Sequence, residues 1–239
     1  MTLVATTTLS VHARAVRSTV TKKITMAITG LILVGFLLVH MFGNLKMFVG
    51  EADFNHYAEW LKQDLLYPFM PKGWFIWIFR ALLLVAIGLH IWAAASLTVK
   101  DRQANGRQRG AGKPVRKAQT YAARTMRWGG VILAGFLVFH ILQFTARLVT
   151  TGFSATEPSA YKMVVASFSL WPVTLAYAIW MVTVCMHIRH GFWSAFTTLG
   201  ANVSAKSRRL LNALAIVLAV LLYVGFMIMP IAVLAGMVK

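Results

Sequence analysis

The sequence predicts an all-α integral membrane protein with five transmembrane helices in a single membrane domain, residues 1–239, and three observations carry this. Hydrophobic residues make up 59% of the chain and charged residues 13%, with mean hydropathy +0.69. Five stretches, approximately 24–45, 74–99, 128–146, 163–188 and 211–234, reach the roughly 20 apolar residues a helix needs to cross a bilayer core. Finally, 17 of the 24 basic residues lie in alternate connections: the leader 1–23, the loop 100–127 and the segment after the fourth stretch. The positive-inside rule then predicts a cytoplasmic N-terminus and an external Lys239. Acidic residues follow the opposite bias, since Glu51, Asp53, Glu59, Asp64 and Glu157 fall outside and Asp101 alone inside. A net charge of +18 distributed in this way is a topology signal and predicts no nucleic-acid partner.

Residues 1–20 lack the apolar core of a cleaved signal peptide, so the first span is expected to act as its own signal and to stay. The outer segment 51–68 alternates polar and aromatic residues and predicts a short interfacial helix, with Trp60, Tyr67, Trp74 and Trp77 in an aromatic belt. The loop 100–127, rich in Gly, Gln and basic residues, is expected to be a mobile cytoplasmic connection; its charge serves topology and is compatible with docking a soluble partner. The connections leave no room for a soluble catalytic domain. Cys185 is the only cysteine, which excludes an internal disulfide, an iron–sulfur cluster bound by this chain alone and a C-x-x-C-H haem attachment.

The first and third spans resemble each other. Gly30–His40 (GLILVGFLLVH) lies over Gly130–His140 (GVILAGFLVFH) with seven of eleven positions identical, a likeness open to internal duplication and to chance between apolar spans. Gly35 and Gly135 sit about 140° from their histidines around the helix and are expected to be close helix–helix contact points. Phe36, Phe136 and Gly43 share a face with a histidine; bracketing a flat macrocycle and ordinary packing both fit them. Four spans carry one histidine each, His40, His90, His140 and His187, at intervals of 50, 50 and 47 residues. Ionisable groups in lipid cost about 2.5 kcal/mol or more for the charged types, so such histidines need a partner or a task.

Depth sorts them into pairs. At about 1.5 Å rise per residue, His40 is roughly 25 Å from the Lys23 boundary and His140 roughly 20 Å from Arg127, both in the outer half. His90 is roughly 15 Å from Lys100, and His187 lies two residues before Arg189, both in the inner half. The pairs are therefore His40 with His140 and His90 with His187. Two histidines facing each other across a helix bundle fit the axial ligation of haem iron, held non-covalently, and filling both axial positions favours electron transfer. The expected bundle thus holds two haems b. Thr183, at i−4, is placed to accept a hydrogen bond from His187. His190 shares the face of His187 and is the one alternative ligand, whereas His12 and His56 are expected to be solvated. The competing reading is a histidine-lined transporter of a transition metal or of haem, although such sites generally recruit acidic or sulfur ligands and no Asp or Glu lies in any span.

With these residues in view, nearly the whole chain resembles the five-helix dihaem cytochrome b membrane anchor of succinate dehydrogenase and fumarate reductase. The resemblance rests on the order and spacing of the four histidines, on Gly35-Phe36-Leu37-Leu38-Val39-His40 followed by Asn44, and on His187-Ile188-Arg189-His190-Gly191-Phe192-Trp193-Ser194-Ala195-Phe196. It implies ligands at His40, His90, His140 and His187, in the pairs that depth gives. It also implies a flavoprotein and an iron–sulfur protein docked on the cytoplasmic side, electron flow through the inner and then the outer haem to a quinone, menaquinone by expectation, and a bacterial cytoplasmic (inner) membrane location. The chain would then be the non-flavin membrane subunit of a respiratory succinate:quinone oxidoreductase of the tricarboxylic acid cycle, with no succinate site of its own. The anchors of formate dehydrogenase or hydrogenase also use span histidines but fit this spacing less well. Glu59, Asp64 and Arg80 are candidates for the proton chemistry of a quinone site, with a plain solvated outer loop the preferred reading for any one of them.

Overall fold

The computed structural model describes residues 18–110 and 117–239, and the side chains of all of these except 107–124; His12 lies outside the described residues. Ser18 opens the first helix, its hydroxyl accepting from Val20 N at 3.2 Å, so one of the helix's unpaired donors is satisfied. The helices are α1 (Thr19–Leu45, followed by a 3₁₀ turn Lys46–Phe48), α2 (Glu51–Gln63), α3 (Trp74–Gly110), α4 (Lys117–Phe144), α5 (Ala160–Phe168), α6 (Trp171–Thr198) and α7 (Ala205–Leu234). The fold is all-helical, with no strand among the described residues. Five helices, α1, α3, α4, α6 and α7, are long and apolar enough to cross a membrane.

Three boundaries differ from expectation. The segment 100–127 is not a loop throughout, because α3 runs on to Gly110 and α4 begins at Lys117. Lys, Arg, Gln and Ala are good helix formers, so the charges that set topology do not stop a helix. Asp101 and Arg127 pair across these two helices. The stretch 163–188 is not one span. It belongs to the short α5 and, after a break at Ser169–Leu170, to α6, which opens with Pro172 in its first turn and continues to Thr198. Proline fits there because its missing N–H would have had no intrahelical partner. Thr174 Oγ1 closes the break by donating to Phe168 O at 2.8 Å. The last helix starts at Ala205, where Ser204 and Ser207 form a capping box.

Helix α1 packs against α3, α6 and α7, and α6 packs against α1, α4 and α7. Among the described residues the helices α1 and α4, and likewise α3 and α6, stand on the diagonals and are not closely packed pairs. One apolar core, Met41, Met181, Cys185, Ile188, Ala219 and Leu222, joins α1, α6 and α7. Gly225 on α7 leaves room for the Met41 side chain, which a methyl group there would strike. The second core caps the face away from Thr19: Met47, Phe54, Tyr161, Phe168, Tyr177 and Met229 bring α2 and α5 onto the ends of α6 and α7. Asn55 laces this cap, donating to Ser159 Oγ at 2.9 Å and accepting from Tyr161 N at 3.1 Å.

Outward surfaces are apolar. Ile28, Ile32, Val39 and Phe42 form an exposed stripe along α1, as do Val131, Ile132 and Val138 along α4 and Val217, Val220 and Val224 along α7. Stripes of this length on several helices suit contact with lipid and not with water.

The turn into α5 depends on one glycine. Gly152 has φ +78°, and a Cβ there would lie 2.7 Å from the backbone oxygen of Ala166. Gly152→Ala is therefore expected to cost about 2 kcal/mol, from left-handed backbone strain and overpacking, measured as a lower thermal midpoint in detergent.

Candidate haem sites: two histidine pairs across the bundle

The long apolar helices carry the four histidines to the bundle axis, and the diagonals decide which rings meet. His40 on α1 faces His140 on α4 with ring centroids 5.9 Å apart and planes at 82°. His90 on α3 faces His187 on α6 at 6.4 Å and 62°. A metal–imidazole bond of about 2.0 Å on either side of one ion places the two ring centroids roughly 6.3 Å apart, so both pairs stand at the separation that joint axial ligation requires. Among the described residues the diagonal helices are not closely packed pairs, and the histidine side chains reach across these gaps.

The repeated segment explains the levels of the two pairs. A Cβ on Gly30 would meet His90 Cε1 at 3.3 Å, and one on Gly130 would meet His187 Cε1 at 3.9 Å. Each copy of the repeat therefore gives clearance to one pair and, ten residues or roughly 15 Å further along, a histidine to the other. Gly35 and Gly135 are not helix contacts as expected. A Cβ at either would meet nothing within 4 Å, and Gly35 falls in the outward stripe of α1. Gly43 does give close contact, to the Tyr57 ring at 3.1 Å, so it makes room for α2.

Hydrogen bonds fix the tautomer of two rings. His90 Nδ1 lies 3.1 Å from Met26 O and 3.2 Å from Thr29 Oγ1, whose own proton goes to Thr25 O at 2.7 Å. A carbonyl only accepts, so His90 carries its proton on Nδ1 and keeps the Nε2 lone pair for a ligand. His140 Nδ1 lies 3.1 Å from Tyr177 Oη, which itself donates to Gln143 Oε1 at 2.6 Å. His187 differs: its Nδ1 is buried with no hydrogen-bond partner. Thr183 does not serve it as expected, because its hydroxyl turns back to Ile179 O at 3.5 Å, the usual habit of Thr inside a helix.

Aromatic rings wall the pair formed by His40 and His140. Phe36 stacks on His40 at 5.3 Å, Phe226 lies 5.8 Å from it, and Phe136 and Phe144 lie 5.9 and 5.6 Å from His140. Opposed imidazoles at ligation distance, a bare Nε2 on two of them, an orphaned buried nitrogen on His187 and an apolar aromatic wall all suit haem. Each pair would supply two protein ligands, and no group of three or more His, Cys, Asp or Glu that could hold a metal ion occurs among the described residues.

Compared with models of protein families, with curated proteins and with solved structures, the chain matches none.

The remaining candidates stand apart. His190 is exposed, and the ring that meets His90 is that of His187. His56 is exposed on α2. Glu59 is exposed on the same helix, Asp64 pairs with Lys72 at 2.8 Å, and Arg80 lies over Trp77 at 4.8 Å. No hydrogen bond or ion pair among the described residues joins any two of Glu59, Asp64 and Arg80. Asp64 also holds the Lys72 ammonium above the usual lysine range. Tyr177 and Gln143 are the site residues the sequence reading missed. A signal existed for both: Gln143 is a lone amide in an apolar span at i+3 from His140, and Tyr177 precedes His187 by ten residues, which sets it at the level of His140.

The two kinds of glycine separate in a melt. Gly30→Val is expected to push the His90 ring aside and cost about 1–3 kcal/mol, whereas Gly35→Val, in open space, should stay within about 0.5 kcal/mol. Thermal unfolding of both variants in one detergent checks the contrast.

Proposed function

We propose that this chain is the dihaem cytochrome b membrane anchor of a succinate:quinone oxidoreductase, passing electrons from an iron–sulfur subunit to menaquinone. The observation that carries the reading is the pairing of His40 with His140 and His90 with His187 at 5.9 and 6.4 Å, on two levels of one bundle. Haem held by these residues would supply one-electron transfer.

The chain's own groups supply the rest. His90 and His187 hold the inner site and His40 and His140 the outer. Met26 O and Thr29 Oγ1 orient His90, and Tyr177 orients His140. Phe36, Phe136, Phe144 and Phe226 keep water from the outer site. The two levels lie roughly 15 Å apart along the helices, so the histidine pairs would hold one group nearer each face of the bilayer. The basic cytoplasmic face, including Lys100, Arg102, Arg127, Arg208 and Arg209, steers the partner subunits into place.

Purification of the whole complex tests this. A b-type reduced-minus-oxidised spectrum with about two haems per chain is expected, with a flavoprotein and an iron–sulfur protein in the same preparation. His90→Ala is expected to remove the inner haem and leave the outer one. A folded wild-type preparation without haem, or metal-dependent transport by the isolated chain without those partners, would overturn the reading.

A further inference from the structure

We propose that Tyr177 and Gln143 are positioning residues that lock His140 as its Nδ1–H tautomer and thereby hold down the redox potential of the outer site. This inference rests on the dihaem reading and deepens it.

A five-member hydrogen-bond chain runs from His140 to the cap, and its direction follows from the far end. Met163 O can only accept, so Ser167 Oγ donates to it at 2.8 Å. The Ser167 oxygen then accepts from Thr151 Oγ1 at 2.9 Å. With the Thr151 proton used, its oxygen accepts from Gln143 Nε2 at 2.6 Å. That fixes the amide, so Gln143 Oε1 faces Tyr177 and takes its single hydroxyl proton at 2.6 Å. Tyr177 Oη has only lone pairs left for His140, and at 3.1 Å the imidazole must donate. Gln143 and Ser167 are fully buried and Tyr177 nearly so, which keeps water from reversing the chain.

The Tyr177–Gln143 arrangement belongs to the outer pair alone; in the inner pair His90 Nδ1 donates to the backbone at Met26 O, 3.1 Å away. His187 Nδ1, in the inner pair, is buried without any partner. A ligating imidazole that donates its second N–H is a more basic ligand and stabilises the electron-poor iron. The chain therefore lowers the outer potential and leaves the inner one alone.

Potentiometric titration of the purified complex, resolving the two haems, is the test. Tyr177→Phe removes the acceptor and should raise the outer potential with the inner unchanged. Gln143→Leu removes the acceptor that polarises the Tyr177 hydroxyl, so Tyr177 Oη becomes a weaker acceptor for His140 and the outer potential should rise, by less than in Tyr177→Phe. Gln143→Glu keeps an acceptor for Tyr177 and should stay at or below the wild-type value. If Tyr177→Phe loses the outer haem altogether, the two Gln143 variants decide. Unmoved outer potentials in variants that keep both haems would overturn this inference and leave the dihaem reading standing, whereas a wild-type complex without haem would sink both.

Discussion

Imidazoles meeting across the diagonals of a bundle, between helices that are not closely packed against each other among the described residues, are the constraint on which the other features turn. His40 and His140 come within 5.9 Å of each other, ring centroid to ring centroid, and His90 and His187 within 6.4 Å, while α1 and α4, and α3 and α6, are not among the closely packed helix pairs of the described residues. The bundle therefore needs its rigidity from the sides. That rigidity comes from the packing of α6 on α7 and of α1 on α3, α6 and α7, with Met41, Met181 and Leu222 between them. Close packing in lipid rests on small residues and dispersion, because lipid tails leave little hydrophobic drive between helices. The glycines beside histidines, Gly30 and Gly130, belong to the same geometry, since any side chain there would occupy the space of a ring.

A membrane interior also leaves no water to complete polar groups, so each must find a partner inside the chain. Thr25, Thr29, Thr98, Ser167 and Ser169 do this by donating to the carbonyl four residues back. Gln143 does it through Tyr177 and Thr151. The exceptions among the described residues are His187 Nδ1 and Thr197 Oγ1, and the first belongs to one of the two pairs. A polar atom left unpaired in this setting costs more than in water, which is why it draws attention to function.

The spans were legible because hydropathy and length are properties of the chain alone, and five of them stand in the structure. Their ends were less so. Charged residues between 100 and 127 read as a loop, yet Lys, Arg and Gln continue a helix readily, and the break at Ser169–Leu170 sits inside an apolar stretch whose hydropathy does not change. Glycine roles were misjudged for a related reason. Gly35 and Gly135 looked like contact points by composition, but it is Gly30, Gly43 and Gly225 that lie against neighbours. Thr183 has the right spacing for His187 and still turns to Ile179 O, because a hydroxyl inside a helix finds a carbonyl acceptor four residues back.

What the sequence determined by itself is depth: a fixed rise per residue places each histidine along its helix, and matching depths bring His40 level with His140 and His90 level with His187. What only the tertiary structure decided is azimuth and neighbour. Which face of α4 turns toward α6, and so brings Tyr177 and Gln143 onto His140 and leaves His187 Nδ1 bare, depends on how helices pack against one another. The axial coordinate is local and additive along a chain, whereas rotation about the axis is set by contacts with residues distant in sequence, so the first can be counted and the second cannot.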